Sequence, residues 1–189
     1  MSVRIFVALD IPADVRGRIA ELIRALVPSC PKARWVRTEG MHVTLKFIGE
    51  TPAEKVERIR DALGKIAPVG PLELHFRNVG FFPNARRPRV FWTGIEASPN
   101  LAPLAAAVEA QLAPLGIPRE EREFKPHLTL ARFKEEMNLA PLHAELASRG
   151  ALDFGAMCAD EFHLYESRLK PGGAEYFKLA TFACAEAAR

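Results

Sequence analysis

Apolar and polar positions alternate along the chain in two rhythms, one typical of strands and one typical of helices, and the two kinds of segment follow each other throughout. Strands are predicted at residues 3–9, 42–48 and 72–76. Residues 13–26 repeat apolar side chains at helical spacing on one face and predict an amphipathic helix. The other predicted elements are a helix at 101–115 and strands at 162–166 and 176–181.

A second helix is predicted directly after the strand at 42–48. Thr51, Pro52 and Glu54 have the pattern of a helix start, in which Thr51 caps the helix, Pro52 fits its first turn and Glu54 completes a capping box. The strand at 72–76 alternates apolar and polar residues, so one of its faces is predicted to be solvated.

The pattern then begins again, which indicates an internal duplication. Residues 4–7 resemble residues 89–92, and residues 42–45 resemble residues 127–130, both at a separation of 85 positions. Each copy is predicted to contain a strand, a helix, a strand with histidine, a helix and a strand.

The duplication predicts an α+β fold that is bilobal and pseudo-symmetric, with antiparallel sheets around a central cleft and helices outside. The chain is expected to be a single domain of two lobes, approximately residues 1–85 and 86–189, with room for strands to be exchanged between lobes. The segment 82–88 is the candidate boundary, because Pro, Asn and Arg replace the apolar alternation there.

Composition narrows the class of protein only a little. With 189 residues, 49% apolar residues and a net charge of +3, the chain is typical of an ordinary globular protein. This charge permits a polyanionic partner without requiring one. The three cysteines have no paired spacing, and the first apolar run is too short and too charged for a signal peptide, so a cytoplasmic protein without a membrane span is expected.

The two histidine strands carry the strongest chemical signal. In an extended strand His42 and Thr44 point to one side, while the apolar residues between and after them point to the other. The same alternation holds for His127 and Thr129. A single His-x-Thr is a weak signal, but its recurrence at the repeat spacing, on the polar side of the alternation, favours function over packing.

Two imidazoles that face each other across a cleft suit in-line displacement at phosphorus. One ring takes a proton from the entering oxygen and the other gives a proton to the leaving oxygen. Histidine fits this work because its reference pKa of roughly 6.5 allows one neutral and one charged ring near physiological pH. The hydroxyls of Thr44 and Thr129 can donate hydrogen bonds to the non-bridging oxygens.

With these motifs the chain resembles the LigT-like branch of the 2H phosphoesterases, known as RNA 2′,3′-cyclic phosphodiesterases or bacterial 2′-5′ RNA ligases. The resemblance extends over nearly the whole chain. It is carried by residues 4–9, 41–49, 124–132, 164–167 and Tyr176. It implies hydrolysis of a 2′,3′-cyclic phosphate at an RNA end to a 2′-phosphate, and a reversible 2′-5′ joining activity in some members.

The resemblance also implies a role for each site residue. His42 would be the proton donor to the leaving 3′-oxygen, and His127 the proton acceptor that activates water. Thr44 and Thr129 would hold the phosphate, and Arg132 would supply a positive charge to it. Phe47 stands where the first copy would have a second arginine, so one arginine is predicted at the phosphate. Because Arg132 is an odd number of residues from His127, a bulge or strand end near Ala131 is required to bring it to the same face.

Contacts with RNA are expected from two further places. Arg86, Arg87 and Arg89 concentrate positive charge at the junction of the copies, and Tyr176 is a candidate for stacking on a terminal base. Phe177 could also stack on the base, but only one of Tyr176 and Phe177 can face the cleft, so the other is expected in the core.

Several absences shape the expected chemistry. His75, His143 and His163 lack partners at useful spacing and are predicted on solvated faces. There is no His-Glu-x-x-His, clustered Asp or paired Cys, and no Gly-rich Lys-Ser/Thr loop, so catalysis without metal, ATP or another cofactor is expected, by a monomer.

Two other functions stay open. A phosphodiesterase for small cyclic-phosphate nucleotides would use the same residues without the arginines at 86–89. A non-catalytic module that binds RNA ends would keep the cleft without turnover.

Overall fold

The computed structural model describes residues 2–121, 123–170 and 173–185. These residues form nine strands and four α-helices. The strands are β1 (Ser2–Asp10), β2 (Arg34–Trp35), β3 (His42–Pro52), β4 (Leu72–Phe82), β5 (Val90–Ala97), β6 (His127–Arg132), β7 (Asp153–Ala159), β8 (Glu161–Lys170) and β9 (Gly173–Ala183). The helices are α1 (Ala13–Leu26), α2 (Ala53–Leu63), α3 (Leu101–Leu112) and α4 (Ala140–Ser148).

The strands form two antiparallel sheets, so the α+β prediction is confirmed. The first sheet has the order β3-β1-β8-β9 and the second the order β2-β6-β5-β4-β7. In both sheets the histidine strand lies beside the strand that begins its copy, β1 or β5. Each sheet also takes strands from the other half of the sequence, because β4 joins the second sheet while β8 and β9 join the first.

One continuous core joins the sheets and helices. In α1 the buried residues Val15, Ile19 and Leu26 recur at helical spacing and pack in the same cluster as Val7 and Leu9 of β1. The alternate residues of the sheets, including both histidines, lie on the faces turned away from this core. We call these the histidine faces of the two sheets.

The predicted capping box before α2 is wrong. Strand β3 continues to Pro52, which is itself the residue before the helix, and no side chain caps it. Thr51 is buried, and its hydroxyl donates instead to the carbonyl of Gly49. Pairing with β1 along its whole length outweighs the local helix-start signal.

The sequence offset between equivalent positions of the two copies also differs from strand to strand. His42 lies opposite Asp10, and His127 lies opposite Gly94. From Asp10 to Gly94 is 84 positions, whereas from His42 to His127 is 85. The similarity of residues 4–7 to 89–92 is therefore one position out of register with the ladders.

None of the helices in the described ranges combines the length and apolar character that a membrane-spanning helix needs.

Candidate active site

Strand β3 contains a bulge directly after its His-x-Thr sequence. Thr44 lies opposite Ala8 of β1 and Lys46 lies opposite Val7, which leaves Leu45 as an extra residue between the two pairs. An extra residue of this kind changes the face on which the following side chains lie. Beyond the bulge, Lys46 therefore points into the core, where it is buried.

Strand β6 contains the equivalent bulge. Thr129 lies opposite Trp92 of β5 and Ala131 lies opposite Phe91, so Leu130 is the extra residue. Both Leu130 and Ala131 are fully buried in the core. The repetition of this irregularity at equivalent positions shows that the backbone of the two histidine strands is alike in detail.

The bulge in β6 brings Arg132 to the face of His127 and Thr129. These three residues lie opposite alternate residues of β5, and alternate residues of a strand share a face. The prediction that an irregularity near Ala131 brings Arg132 round is confirmed. Its contact with a phosphate stays a prediction.

Phe47 occupies the corresponding place in the first sheet. It lies opposite Phe6, on the same face as His42 and Thr44. Its side chain is 46% exposed, and the guanidinium of Arg4 lies 4.9 Å from the ring centroid. The first histidine face therefore presents an aromatic surface where the second presents an arginine.

The two imidazoles are held by the same backbone contact. Nδ1 of His42 lies 2.8 Å from the carbonyl oxygen of Gly40, and Nδ1 of His127 lies 2.8 Å from that of Lys125. A carbonyl can only accept, so Nδ1 carries the hydrogen in both rings. Nε2 is then the nitrogen that takes or gives a proton, in both copies.

His42 lies in an aromatic environment. Its ring stacks on Phe6 at 4.4 Å between centroids, and the edge of Tyr176 meets it at 5.0 Å. Burial lowers the pKa of His42, while the Gly40 carbonyl and the Asp10 carboxylate act in the opposite direction. The net effect favours the neutral ring in the absence of an anionic ligand.

A cavity of about 270 Å³ opens beside His42. Of the described residues, those that line it include Asp10, Arg16, Gly40, Tyr165 and Tyr176. His127 is not part of this lining; its ring is partly exposed and meets the edge of Phe82 at 5.2 Å. The strands β3 and β6 nevertheless approach within 8 Å between Cα atoms, so the histidine strands of the two sheets are neighbours.

A second arginine lies next to Arg132. Arg34 of the short strand β2 is directly opposite Arg132, and both side chains are exposed. Directly opposite residues of an antiparallel pair share a face. Arg34 and Arg4 thus add positive charge to the histidine faces. Sequence reasoning missed both, although Arg4 lies within the repeated motif.

The three arginines at the copy junction lie around a different cavity, of about 250 Å³. Nη1 of Arg89 donates to the carbonyl of Lys134, and Arg87 forms an ion pair with Glu136. Arg86 is exposed, and its backbone N–H donates to the side chain of Asn84. These arginines are not part of the cavity beside His42, and their contact with RNA stays a prediction.

Tyr176 and Phe177 point to opposite faces, as expected, but Phe177 is not a core residue. Both rings are 37% exposed. Tyr176 meets His42 and packs on Gly40, where an added Cβ would come 2.6 Å from the tyrosine ring. Phe177 lies beneath the guanidinium of Arg168, at 4.2 Å. Phe177 lies opposite Glu166, which lies opposite the core residue Ile5, so its ring is on the core side of the sheet, at a part of the edge strand β9 that stays exposed.

The prediction of a solvated face is wrong for His163. This residue is buried, with Nδ1 3.0 Å from the hydroxyl of Thr181. Its Nε2 lies 3.5 Å from Asp10 and 3.3 Å from Nζ of Lys178. His75 and His143 are partly exposed; His75 contacts the carboxylate of Asp153, and His143 contacts the carbonyl of Ala85.

Fold and site together define a class of protein: two antiparallel sheets whose equivalent strands each present a His-x-Thr sequence with the same imidazole geometry. The model of the 2′-5′ RNA ligase superfamily matches residues 7–171. The chain belongs to this superfamily, and the resemblance stated from its motifs is confirmed.

The relatives carry consistent names. A protein of Archaeoglobus fulgidus named RNA 2′,3′-cyclic phosphodiesterase is 34% identical over 95% of this chain and 99% of its own length. One of Methanothermobacter thermautotrophicus with the same name is 32% identical over 96% and 99%.

Among solved structures, TT0787 of Thermus thermophilus has a TM-score of 0.80 and 30% identity, over 97% of this chain and all of its own. Escherichia coli LigT, in a complex with 3′-AMP, has a TM-score of 0.77 and 28% identity, over 97% and 98%.

Proposed function

We propose that this protein is an RNA 2′,3′-cyclic phosphodiesterase that opens a terminal cyclic phosphate to a 2′-phosphate, with His42 as proton donor and His127 as proton acceptor. The observation that carries the proposal is the matched geometry of the two imidazoles, each with Nδ1 at 2.8 Å from the carbonyl two residues before it. The names of the relatives support the substrate class.

The reaction needs one proton removed and one delivered. Nε2 of His127 takes a proton from water as the water oxygen attacks phosphorus. The bond from phosphorus to the 3′-oxygen breaks in line, and Nε2 of His42 gives that oxygen its proton. The 2′-oxygen keeps the phosphate. A proton then passes from His127 to His42 through solvent, which restores the starting state.

The remaining residues of the histidine faces hold the charged group. The hydroxyls of Thr44 and Thr129 donate to the non-bridging oxygens, and Arg132 adds a charge-assisted hydrogen bond. Burial lowers the pKa of His42, so the donor depends on a bound phosphate to favour its charged form. Phe47 and Tyr176 provide exposed rings on which the terminal base can stack.

The same site can support joining, in the same chemical direction but with a different attacking group. A ribose 5′-hydroxyl of a second RNA would replace water as the attacking group, and the strain of the cyclic phosphate would supply the driving force. This gives a 2′-5′ linkage with the same two proton transfers. The product therefore depends on whether water or RNA occupies the place beside His127.

A small cyclic-phosphate nucleotide is the second candidate substrate. Arg87 and Arg89 already contact Glu136 and the carbonyl of Lys134, so these arginines are less available to bind the phosphates of a longer RNA. This observation favours the smaller substrate. An oligonucleotide and a cyclic mononucleotide should be compared at equal concentration. A higher kcat/KM for the oligonucleotide, reduced in the Arg86→Gln variant, supports RNA as the substrate.

The direct test is incubation of the purified protein with cyclic-ended RNA in EDTA. We expect a 2′-phosphate product, and a loss of about 100-fold or more in kcat/KM for His42→Ala and for His127→Ala. His143→Ala, a histidine on helix α4 outside the site, is the matched control and should retain activity. Full activity in either site variant would refute the proposal, and tight binding without product would favour a non-catalytic module.

A further inference from the structure

The residue directly across the ladder is a carboxylate for His42 and a glycine for His127. Asp10, the last residue of β1, is directly opposite His42, and both residues line the same cavity. Opposite residues of an antiparallel pair place their Cβ atoms about 4.5–5.5 Å apart. The carboxylate of Asp10 is therefore a negative charge close to the ring, on the same histidine face.

Asp10 is held in place by residues from two other strands. The hydroxyl of Tyr165 donates to one carboxylate oxygen, and Nζ of Lys178 lies 2.9 Å from the other. Behind them is the buried ring of His163, which lies 3.5 Å from Asp10. Tyr165 also stacks on Phe6, the ring that supports His42. The network thus reaches His42 by charge and by packing.

The second copy lacks this device at the equivalent position. Opposite His127 stands Gly94, which has no side chain. A Cβ there would lie 3.1 Å from the carbonyl oxygen of Arg77, so the position has little space for a carboxylate. The two imidazoles lie on equivalent strands, each followed by the same bulge and each held by the same backbone hydrogen bond. They differ in the residue that lies opposite on the neighbouring strand.

The electrostatic directions show that Asp10 and burial act on His42 in opposite senses. Burial opposes ionisation of Asp10, but the hydrogen bonds from Tyr165 and Lys178 outweigh it, and the pKa of the carboxyl is lowered. Asp10 is therefore charged near neutral pH. Burial lowers the pKa of His42, and the charge of Asp10 offsets part of that effect.

We propose that Asp10 is a positioning residue that supports the protonated form of His42 against the effect of burial, so that this ring can hold the proton to be donated once a phosphate is bound. The inference rests on the proposed function, because the role of His42 as proton donor belongs to it. Tyr165 and Lys178 fix the carboxylate, and Lys178 also limits its effect by partial neutralisation. Gly94 gives His127 no such support from the neighbouring strand.

Several titratable or charged groups surround His42, from every element packed against it. They are Asp10 of β1, Arg16 of α1, Glu39 of the short helical turn before β3, Tyr165 and His163 of β8, and Tyr176 and Lys178 of β9. The test must therefore change Asp10 alone and compare it with changes elsewhere in this set.

The test is an NMR titration of the His42 ring in the ligand-free protein. Asp10→Asn removes the charge and should lower the pKa of His42 by about half a pH unit or more. Lys178→Met leaves Asp10 less neutralised and should raise it. Asp14→Asn, the same change on the exposed side of α1, should leave it unaltered. In cyclic phosphodiesterase assays, Asp10→Asn should move the high-pH limb of kcat/KM to lower pH.

Opposite directions in the Asp10 and Lys178 variants distinguish an electrostatic role from a structural one. A merely structural network would be disturbed in the same direction by either change. The proposal is overturned if the His42 titration is the same in Asp10→Asn as in Asp14→Asn, or if Lys178→Met also lowers the pKa. Because the titration needs no substrate, failure of the cyclic phosphodiesterase assay would contradict the proposed function alone.

Discussion

At the scale of single residues, the tautomer of each imidazole is set by the backbone. The carbonyl two residues before each histidine accepts from Nδ1, so neither ring needs a carboxylate to orient it. Asp10 is then free to act on His42 by charge without a direct hydrogen bond. Orientation and charge are supplied by different groups, and can be altered separately.

Arg132 should matter for binding and reaction because its side chain shares a face with His127 and Thr129. We expect Arg132→Gln to lower kcat/KM by about 10- to 100-fold, since a hydrogen bond to a charged group contributes roughly 1.5–3 kcal/mol. Arg168→Gln is the matched control, because that guanidinium pairs with Glu166 and covers Phe177 on the side of the sheet opposite to His42. Steady-state kinetics on cyclic-ended RNA measures both. Equal effects of the two changes would remove Arg132 from the site.

The sequence singles out candidate residues whose signal repeats, and gives no sign of contacts between residues that are distant along the chain. His42, Thr44, His127 and Thr129 stand out because the motif recurs. The contact of Asp10 with Tyr165 joins residues 155 positions apart, and no local pattern indicates it. The burial of His163 has the same cause, since its neighbours come from β1 and β9.

At the scale of elements, the bulges decide which side chains reach the histidine faces. A regular strand would place Ala131 with His127 and send Arg132 into the core. The sequence indicated that an irregularity near Ala131 was needed to bring Arg132 to the face of His127. It did not indicate that β3 has an equivalent bulge at Leu45. The one-position error in matching β1 to β5 has a related origin, because similar residues were matched although their faces differ. Phe6 belongs to the histidine face and Phe91 to the core.

The bulge in β6 can be tested by measuring the stability of two variants. Ala131→Arg should destabilise the protein by about 3 kcal/mol or more, because Ala131 is 0% exposed and an arginine there would be a buried charge. Arg132→Ala, an exposed neighbour, should change the free energy of unfolding by less than about 1 kcal/mol. Urea denaturation measures both values. A larger loss for Arg132→Ala would mean that β6 alternates regularly.

At the scale of the whole molecule, the two halves of the sequence are interleaved. Each sheet contains strands from both halves, and the core is continuous across them. Lys46 makes a further connection, because its buried Nζ lies 2.8 Å from Glu109 of α3 and 2.6 Å from the carbonyl of Pro118. It thereby links the first histidine strand to the segment that leads to the second.

The buried pair of Lys46 and Glu109 should contribute to the stability of the protein. Lys46→Met should lower the free energy of unfolding by about 3–5 kcal/mol, because Glu109 is left as an uncompensated, largely buried charge. Adding Glu109→Leu should restore much of that stability, since an apolar pair can replace a buried ion pair. Lys65→Met, an exposed lysine after α2, is the control and should have little effect. Denaturation of the parent protein and of these three variants measures the effects.

Activity in the Lys46→Met, Glu109→Leu double variant then shows what the ion pair does for the site. If the pair sets the spacing of the histidine strands, the double variant is stable but its kcat/KM on cyclic-ended RNA falls, because β3 is no longer hydrogen-bonded to the segment before β6. The His42 titration in the ligand-free protein should stay as in the parent, since Lys46 faces the core. Recovery of both stability and kcat/KM would show that the pair serves folding alone.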